Sequence, residues 1–197
     1  MPPTPRRRPS RPATLRSRRR LAVRRAHSRE GGQSLVEFSL ILGPLMLILL
    51  GVIQFGFIFN TYITLSTATR EAAREGSVYV YERWMTRSAN DAVRNADVRN
   101  AFLGALNGLA KTSPQFATSS TWVSTTSGTT TTFTNGDLVV TYLRPDTVTA
   151  NDPRAGYRLT VHATYHQDIV IPLIGALLPL DAGGRLPLTG EVTMVMN

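Results

Sequence analysis

The sequence predicts an α+β protein: a long N-terminal transmembrane helix, then a small antiparallel sheet with one or two packed helices. Three observations predict it. Residues 38–59 are an uncharged, almost wholly apolar run. Residues 90–111 place apolar side chains at helical spacing. Beyond residue 135, turn signals separate short runs rich in β-branched and aromatic residues.

Charge is distributed very unevenly. The 197 residues carry a formal net charge of +9 and no cysteine. Residues 1–30 contain 11 arginines and one acid, so the rest of the chain sums to about −1. A folded nucleic-acid-binding surface would place its basic residues on the body, so no nucleic acid is expected as a partner. Without cysteine there is no disulfide and no thiolate metal site. Residues 1–32 are basic and poor in large apolar side chains, which predicts a disordered cytoplasmic leader.

Residues 33–60 read as the transmembrane helix. The 22 uncharged residues 38–59 rise about 33 Å as a helix, close to the hydrocarbon thickness of a bilayer. Ser39 and Gln54 are the clearly polar side chains in this run, too few for the polar stripe of a core helix. Arginine is retained on the cytoplasmic side, so the leader stays inside and the C-terminal region is extracytoplasmic. Membrane lipid is thus the first expected partner. Pro44, next to Gly43, removes one backbone hydrogen bond and predicts a kink.

The residues entering the span are Gly31-Gly32-Gln33-Ser34-Leu35-Val36-Glu37-Phe38. Two readings of Glu37 stand side by side. In one, Ser34 is an N-cap and Glu37 completes a capping box. In the other, a glycine, four residues, a glutamate and an apolar helix resemble the processing site of type IV prepilins. That resemblance implies cleavage by a prepilin peptidase between Gly32 and Gln33. Glu37 then pairs with an N-terminal amine of a neighbouring subunit. Such pairing offsets the roughly 2.5–3.5 kcal/mol that a charge costs in hydrocarbon.

Further segments carry a family resemblance. Gln33-Ser34-Leu35-Val36-Glu37-Phe38, Gly43-Pro44, Gln54-Phe55-Gly56 and Thr69-Arg70-Glu71-Ala72-Ala73-Arg74-Glu75-Gly76 together resemble the TadE-like family. Looser similarity covers residues 157–197. These are pseudopilins of the tight-adherence (Flp) type IV pilus. The resemblance implies a pilin-like fold and a structural role as minor subunit or assembly factor. It also implies other pilin or pseudopilin subunits and a pilus assembly platform as partners, and a place in the inner membrane or the pilus. Gln54 stands where family members often carry an acid.

The exported part begins with a helical segment, residues 61–111. Alanine and charged residues favour helix through residue 75, with Gly76 as a candidate C-cap. Arg70, Glu71 and Arg74 offer either a docking face for neighbouring subunits or a solvated face with one Glu71–Arg74 pair. Residues 79–85 read as an aromatic packing surface. In the second helix, residues 90–111, Val93, Ala96, Phe102, Leu103, Leu106 and Leu109 form the expected apolar face. Residues 112–197 form a Ser/Thr-rich segment and an antiparallel β region. Residues 112–134 include 15 serines and threonines, which suggests an exposed extended segment or twisted strands. Asn135-Gly136 is a hairpin signal. Strands are expected at 138–143, 157–166 and 186–196, with an apolar but short segment at 169–180 between the last two. That segment suits a short helix covering the sheet or lying at the membrane surface.

No enzyme motif stands out. His162, His166 and Asp168 share one strand face. His162 and His166, however, lie about 13 Å apart along a strand, too far to hold one ion without a bulge. No metal, no cofactor and no catalytic residue are expected. The competing functional readings are an extracytoplasmic binding or sensor module on an uncleaved signal anchor, and a membrane-tethered enzyme.

Overall fold

The structure is a computed structural model that describes residues 17–109, 114–116 and 121–197. The expected disorder of residues 1–16, and Lys111 at the predicted end of the second helix, lie outside them. The chain divides into two units, Met1–Leu50 and Gly51–Asn197. The boundary falls within one α-helix of 61 residues, α1 (Ser17–Ser77).

Helix α1 corrects two expectations. It starts at Ser17, so residues 17–32 are helical where a disordered leader was expected. Arginine, leucine and alanine are good helix formers. Extending an existing helix also avoids the cost of nucleating a new one. Ser34 therefore lies inside the helix and is no N-cap, so Glu37 has no capping box to complete. The helix also runs through Pro44 without a break in its assignment.

In the Gly51–Asn197 unit, five strands form an antiparallel meander in the order β1-β2-β3-β4-β5. They are β1 (Val123–Ser127), β2 (Thr130–Asn135), β3 (Leu138–Leu143), β4 (Arg158–Gln167) and β5 (Leu186–Val195). The Ser/Thr-rich segment thus supplies paired strands, with Thr134 opposite Val123 and Thr130 opposite Ser127. The expected hairpin at Asn135-Gly136 is present. Asn135 pairs with Leu138, and Gly136 takes φ +59°, a conformation that suits glycine. Along β4 the predicted alternation holds, with Leu159, Val161, Ala163 and Tyr165 buried and the intervening residues more exposed. One face of the sheet is therefore core and the other is open.

The core lies between that face and two helices. From α1 come Leu65, Ala68, Ala72 and Ala73; from α2 (Arg87–Leu106) come Val98, Phe102 and Leu106. Thr86 caps α2, its hydroxyl accepting from Ala89 N at 3.2 Å. The buried face of α2 differs from the expected one. Phe102 and Leu106 point inward, but Val93 is 40% exposed, and the first turns bury Asn90, Asp91, Arg94 and Asn95 instead. Gly76 is not a C-cap. It sits within α1, buried, where a Cβ would come within 2.6 Å of Leu159 and 2.7 Å of Val98. Glycine is there because helix, sheet and α2 meet at that point. The 169–180 segment contains a single helical turn, α3 (Pro172–Gly175).

Candidate functional site: an uncovered apolar helix and its polar entrance

Residues 35–53 of α1 present large apolar side chains with nothing over them. Leu35, Val36, Phe38, Leu40, Ile41, Leu45, Ile48 and Val52 are among those exposed. They point in all directions around the helix. A helix apolar all round suits hydrocarbon and not water. Among the described residues, one helical stretch, Gly32–Ser77, is long and apolar enough to cross a membrane. This N-terminal apolar helix is compatible with membrane anchoring.

At its entrance, Gly32, Gln33 and Glu37 are all exposed. The Gln33 side-chain amide donates to Glu37 Oε1 at 3.1 Å, an i,i+4 contact on one helix face. A Cβ on Gly32 would meet nothing within 4 Å, so no packing requires glycine there. Gly43 and Pro44 are exposed too, and a Cβ on Gly43 would meet nothing.

Farther along, α1 carries a buried stripe of Gln54, Thr61, Leu65, Ala68, Thr69, Ala72, Ala73 and Gly76. Two polar members of the stripe dock the end of β4 and the segment that follows it. Gln54 is 1% exposed, and its Oε1 accepts from the backbone N–H of Val170 at 3.1 Å. Thr61 donates to Gln167 Oε1 at 2.8 Å. Arg70, Glu71 and Arg74 lie on the outer face, exposed, with the expected Glu71–Arg74 pair at 3.3 Å. They are close in sequence to the core but take no part in it.

A buried ionic cluster escaped the sequence reading. Arg154 grips Asp91 with two hydrogen bonds, Nε to Oδ1 at 3.0 Å and Nη2 to Oδ2 at 2.8 Å. Arg94 lies 3.9 Å from the same carboxylate and donates to the Pro153 carbonyl. The guanidiniums stack on aromatic rings, Arg94 4.7 Å from the centroid of Tyr79 and Arg154 4.7 Å from that of Tyr142. The Tyr142 hydroxyl donates to Asn95 Oδ1 at 2.6 Å. Burial pushes the Tyr142 phenol far above its ordinary value, and burial also raises that of Tyr79. The cluster fastens the loop at 151–156 to α2, and Arg154 accepts a positive φ of 60° to reach it.

The residues considered as metal ligands are not brought together. His162 lies opposite Glu191 in the β4–β5 ladder, and Asp168 is exposed beyond the end of β4. His166 turns instead to Asp181, Nδ1 to Oδ2 at 2.6 Å, with Asp137 at 3.7 Å from Nε2. Asp181 also accepts from the backbone N–H groups of Gly183 and Arg185. The Arg185 N–H foremost, then His166, holds this carboxyl below its ordinary value. Its oxygens organise the turn before β5. Among the described residues, no group of three or more His, Asp or Glu side chains is placed to hold a metal ion.

No curated protein and no solved structure matches the chain. The family model of TadE-like proteins matches residues 32–74, which run from the glycine at the helix entrance to Arg74. The chain therefore carries a TadE-like segment over residues 32–74, and such a segment points to a part in tight-adherence (Tad) pilus systems.

Proposed function

We propose that this protein is a single-pass membrane pseudopilin, a minor pilin-like subunit or assembly factor of the tight-adherence type IV pilus, with a structural and not a catalytic role. The observation that carries the reading is the uncovered apolar segment of α1 entered through Gly32, Gln33 and Glu37 within the TadE-like match. An apolar helix of this kind is stable in lipid and can later exchange lipid for other pilin helices, because both surroundings satisfy its side chains equally.

In this reading the arginine-rich leader holds the N-terminus in the cytoplasm. A prepilin peptidase cuts between Gly32 and Gln33, where the absence of a side chain on Gly32 lets the backbone extend in the peptidase. The new amine on Gln33 then lies one helical turn from Glu37, on a face where the Gln33 side chain already meets that carboxylate. Glu37 can pair with its own amine or with that of a neighbouring pilin subunit, and the second choice sets the axial stagger. The exposed Arg70, Glu71 and Arg74 supply charges for contact with other subunits or the assembly platform.

Mass spectrometry of the membrane-extracted protein, expressed with an active or an inactivated prepilin peptidase, tests this reading. An N-terminus at Gln33 with the active enzyme alone is the expected result. A chain that stays full length beside a peptidase active on another prepilin refutes processing and favours an uncleaved signal anchor.

A further inference from the structure

We infer that residues 169–180 are a second membrane contact, a loop that inserts the side chains of Val170, Leu173 and Leu177 among the acyl chains of the extracytoplasmic leaflet. The inference rests on the reading of α1 as a membrane span. The segment holds no charged residue and is bounded by Asp168 and Asp181. It is fastened to α1 at the level of the apolar span. Val170 N–H donates to Gln54, and Ile174 Cδ1 lies 3.9 Å from where a Cβ on Gly51 would be. Ile174 and Gly175 face inward and are buried. On the outer side Val170 is 71%, Leu173 61% and Leu177 82% exposed.

Depth follows from helix length. The uncharged residues before Gly51, numbers 38–50, rise only about 20 Å. The hydrocarbon core is about 30 Å thick, so lipid must extend roughly 10 Å beyond Gly51. Gly51 and Gln54, and the loop fastened to them, therefore fall on the hydrocarbon side of that boundary. The free faces of α1 at this level agree, since Ile53, Phe55, Phe57 and Phe59 are also exposed.

Part of the loop's backbone is paired within the protein, as an apolar medium favours. Pro172 and Pro179 have no N–H to satisfy. The N–H of Val170 goes to Gln54, those of Ile174 and Gly175 to the Ile171 carbonyl, that of Leu177 to Ile174 and that of Leu178 to Gly175. Gln54, an amide in an apolar span, is thereby covered by protein. The loop gives α1 a lipid-facing side and a protein-facing side, fixing its depth and its rotation about its own axis.

The chain has no cysteine, so single cysteines at exposed positions can carry an environment-sensitive fluorophore. Leu173→Cys and Leu177→Cys are labelled in the full chain and reconstituted into phosphatidylcholine vesicles containing doxyl-labelled lipid. Met46→Cys, in the span, and Thr126→Cys, on the exposed β1 strand, serve as references. The expected result is blue-shifted emission at positions 173 and 177. Both should be quenched more by a doxyl group near the lipid headgroup than by one near the chain end, with Thr126 unquenched and Met46 quenched best by the deep label. Water-exposed emission at 173 and 177 while Met46 is quenched overturns the inference and leaves the span intact. Emission shielded from water but insensitive to lipid quencher overturns it too, because protein then covers the loop. An unquenched Met46 removes the membrane span itself, and the inference with it.

Discussion

Replacing Asp91 with alanine should destabilise the Gly51–Asn197 unit severely. The side chains of Asp91, Arg94 and Arg154 are only 7%, 3% and 6% exposed, so two cations and one anion share a nearly dry space. Asp91→Ala leaves both guanidiniums buried with no anion between them. Breaking a buried pair in this way costs about 3–5 kcal/mol, a large fraction of the roughly 5–15 kcal/mol that keeps a domain folded. At about 2–4 °C per kcal/mol for a unit of this size, the Tm should fall by something on the order of 10 °C. Thermal unfolding of the full chain in detergent, followed by circular dichroism in the sheet region, measures it. The double variant Asp91→Ala/Arg154→Met is the control. It removes one of the two cations that the first change orphans and should recover part of the loss, a non-additivity of about 0.5–3 kcal/mol. A loss below about 1 kcal/mol for Asp91→Ala, or losses of Asp91→Ala and the single variant Arg154→Met that merely add in the double variant, refutes the claim that these charges are desolvated and mutually dependent.

Other perturbations separate packing, entrance and turn. Gly76→Ala gains about 1 kcal/mol of helix propensity, but its methyl group collides with Leu159 and Val98. Overpacking costs about 1–3 kcal/mol, so the midpoint in a denaturant titration should fall, and a rise would mean that the core yields freely there. Glu37→Ala should leave membrane insertion intact, as read by alkaline extraction, and reduce incorporation into pili or pilus-assembly complexes. Unchanged incorporation removes the pairing role of Glu37. The Asp181 carboxyl is held below its ordinary value of 3.8, so its contribution to stability is complete above that pH. The contribution disappears as pH falls through the lower, folded-state value. Asp181→Asn should accordingly lower the Tm at neutral pH and flatten its fall in acid, and an unchanged acid profile would show that Asp181 does not organise the turn.

What was legible in the sequence was whatever depends on short-range periodicity. An uncharged run long enough to cross a bilayer, the alternation in β4 and the Asn135-Gly136 turn each follow from neighbours in the chain, and each is present. The inner face of α2 was misread because apolar periodicity presumes an apolar core. The charges at Asp91 and Arg94 are admissible there only through Arg154, which is 63 positions from Asp91. Gly76 was misread for a similar reason: a glycine near a helix end suggests a cap, and only the approach of Leu159 and Val98 shows a packing constraint. Gln54 carried a faint signal, as the one amide in an apolar run in step with Thr61 and Leu65, but its partner Val170 is 116 positions away.

These long-range polar contacts answer a difficulty set by the composition of α1. Its inner stripe of Ala68, Ala72, Ala73 and Gly76 is nearly smooth, and apolar burial alone distinguishes poorly between one helical register and the next. A slide of one turn moves each residue about 5.4 Å along the axis. Such a shift costs little apolar area, but it takes Gly76 away from the point where only glycine fits against Leu159 and Val98, and it separates Gln54 from Val170 and Thr61 from Gln167. Each buried polar group left unpaired costs about 1–3 kcal/mol, enough to select one register. Gly190 adds a second steric check, because a Cβ there would lie only 3.0 Å from Thr69. The depth of the 169–180 loop along α1 is therefore set by hydrogen bonds, while the attraction that brings the surfaces together is apolar.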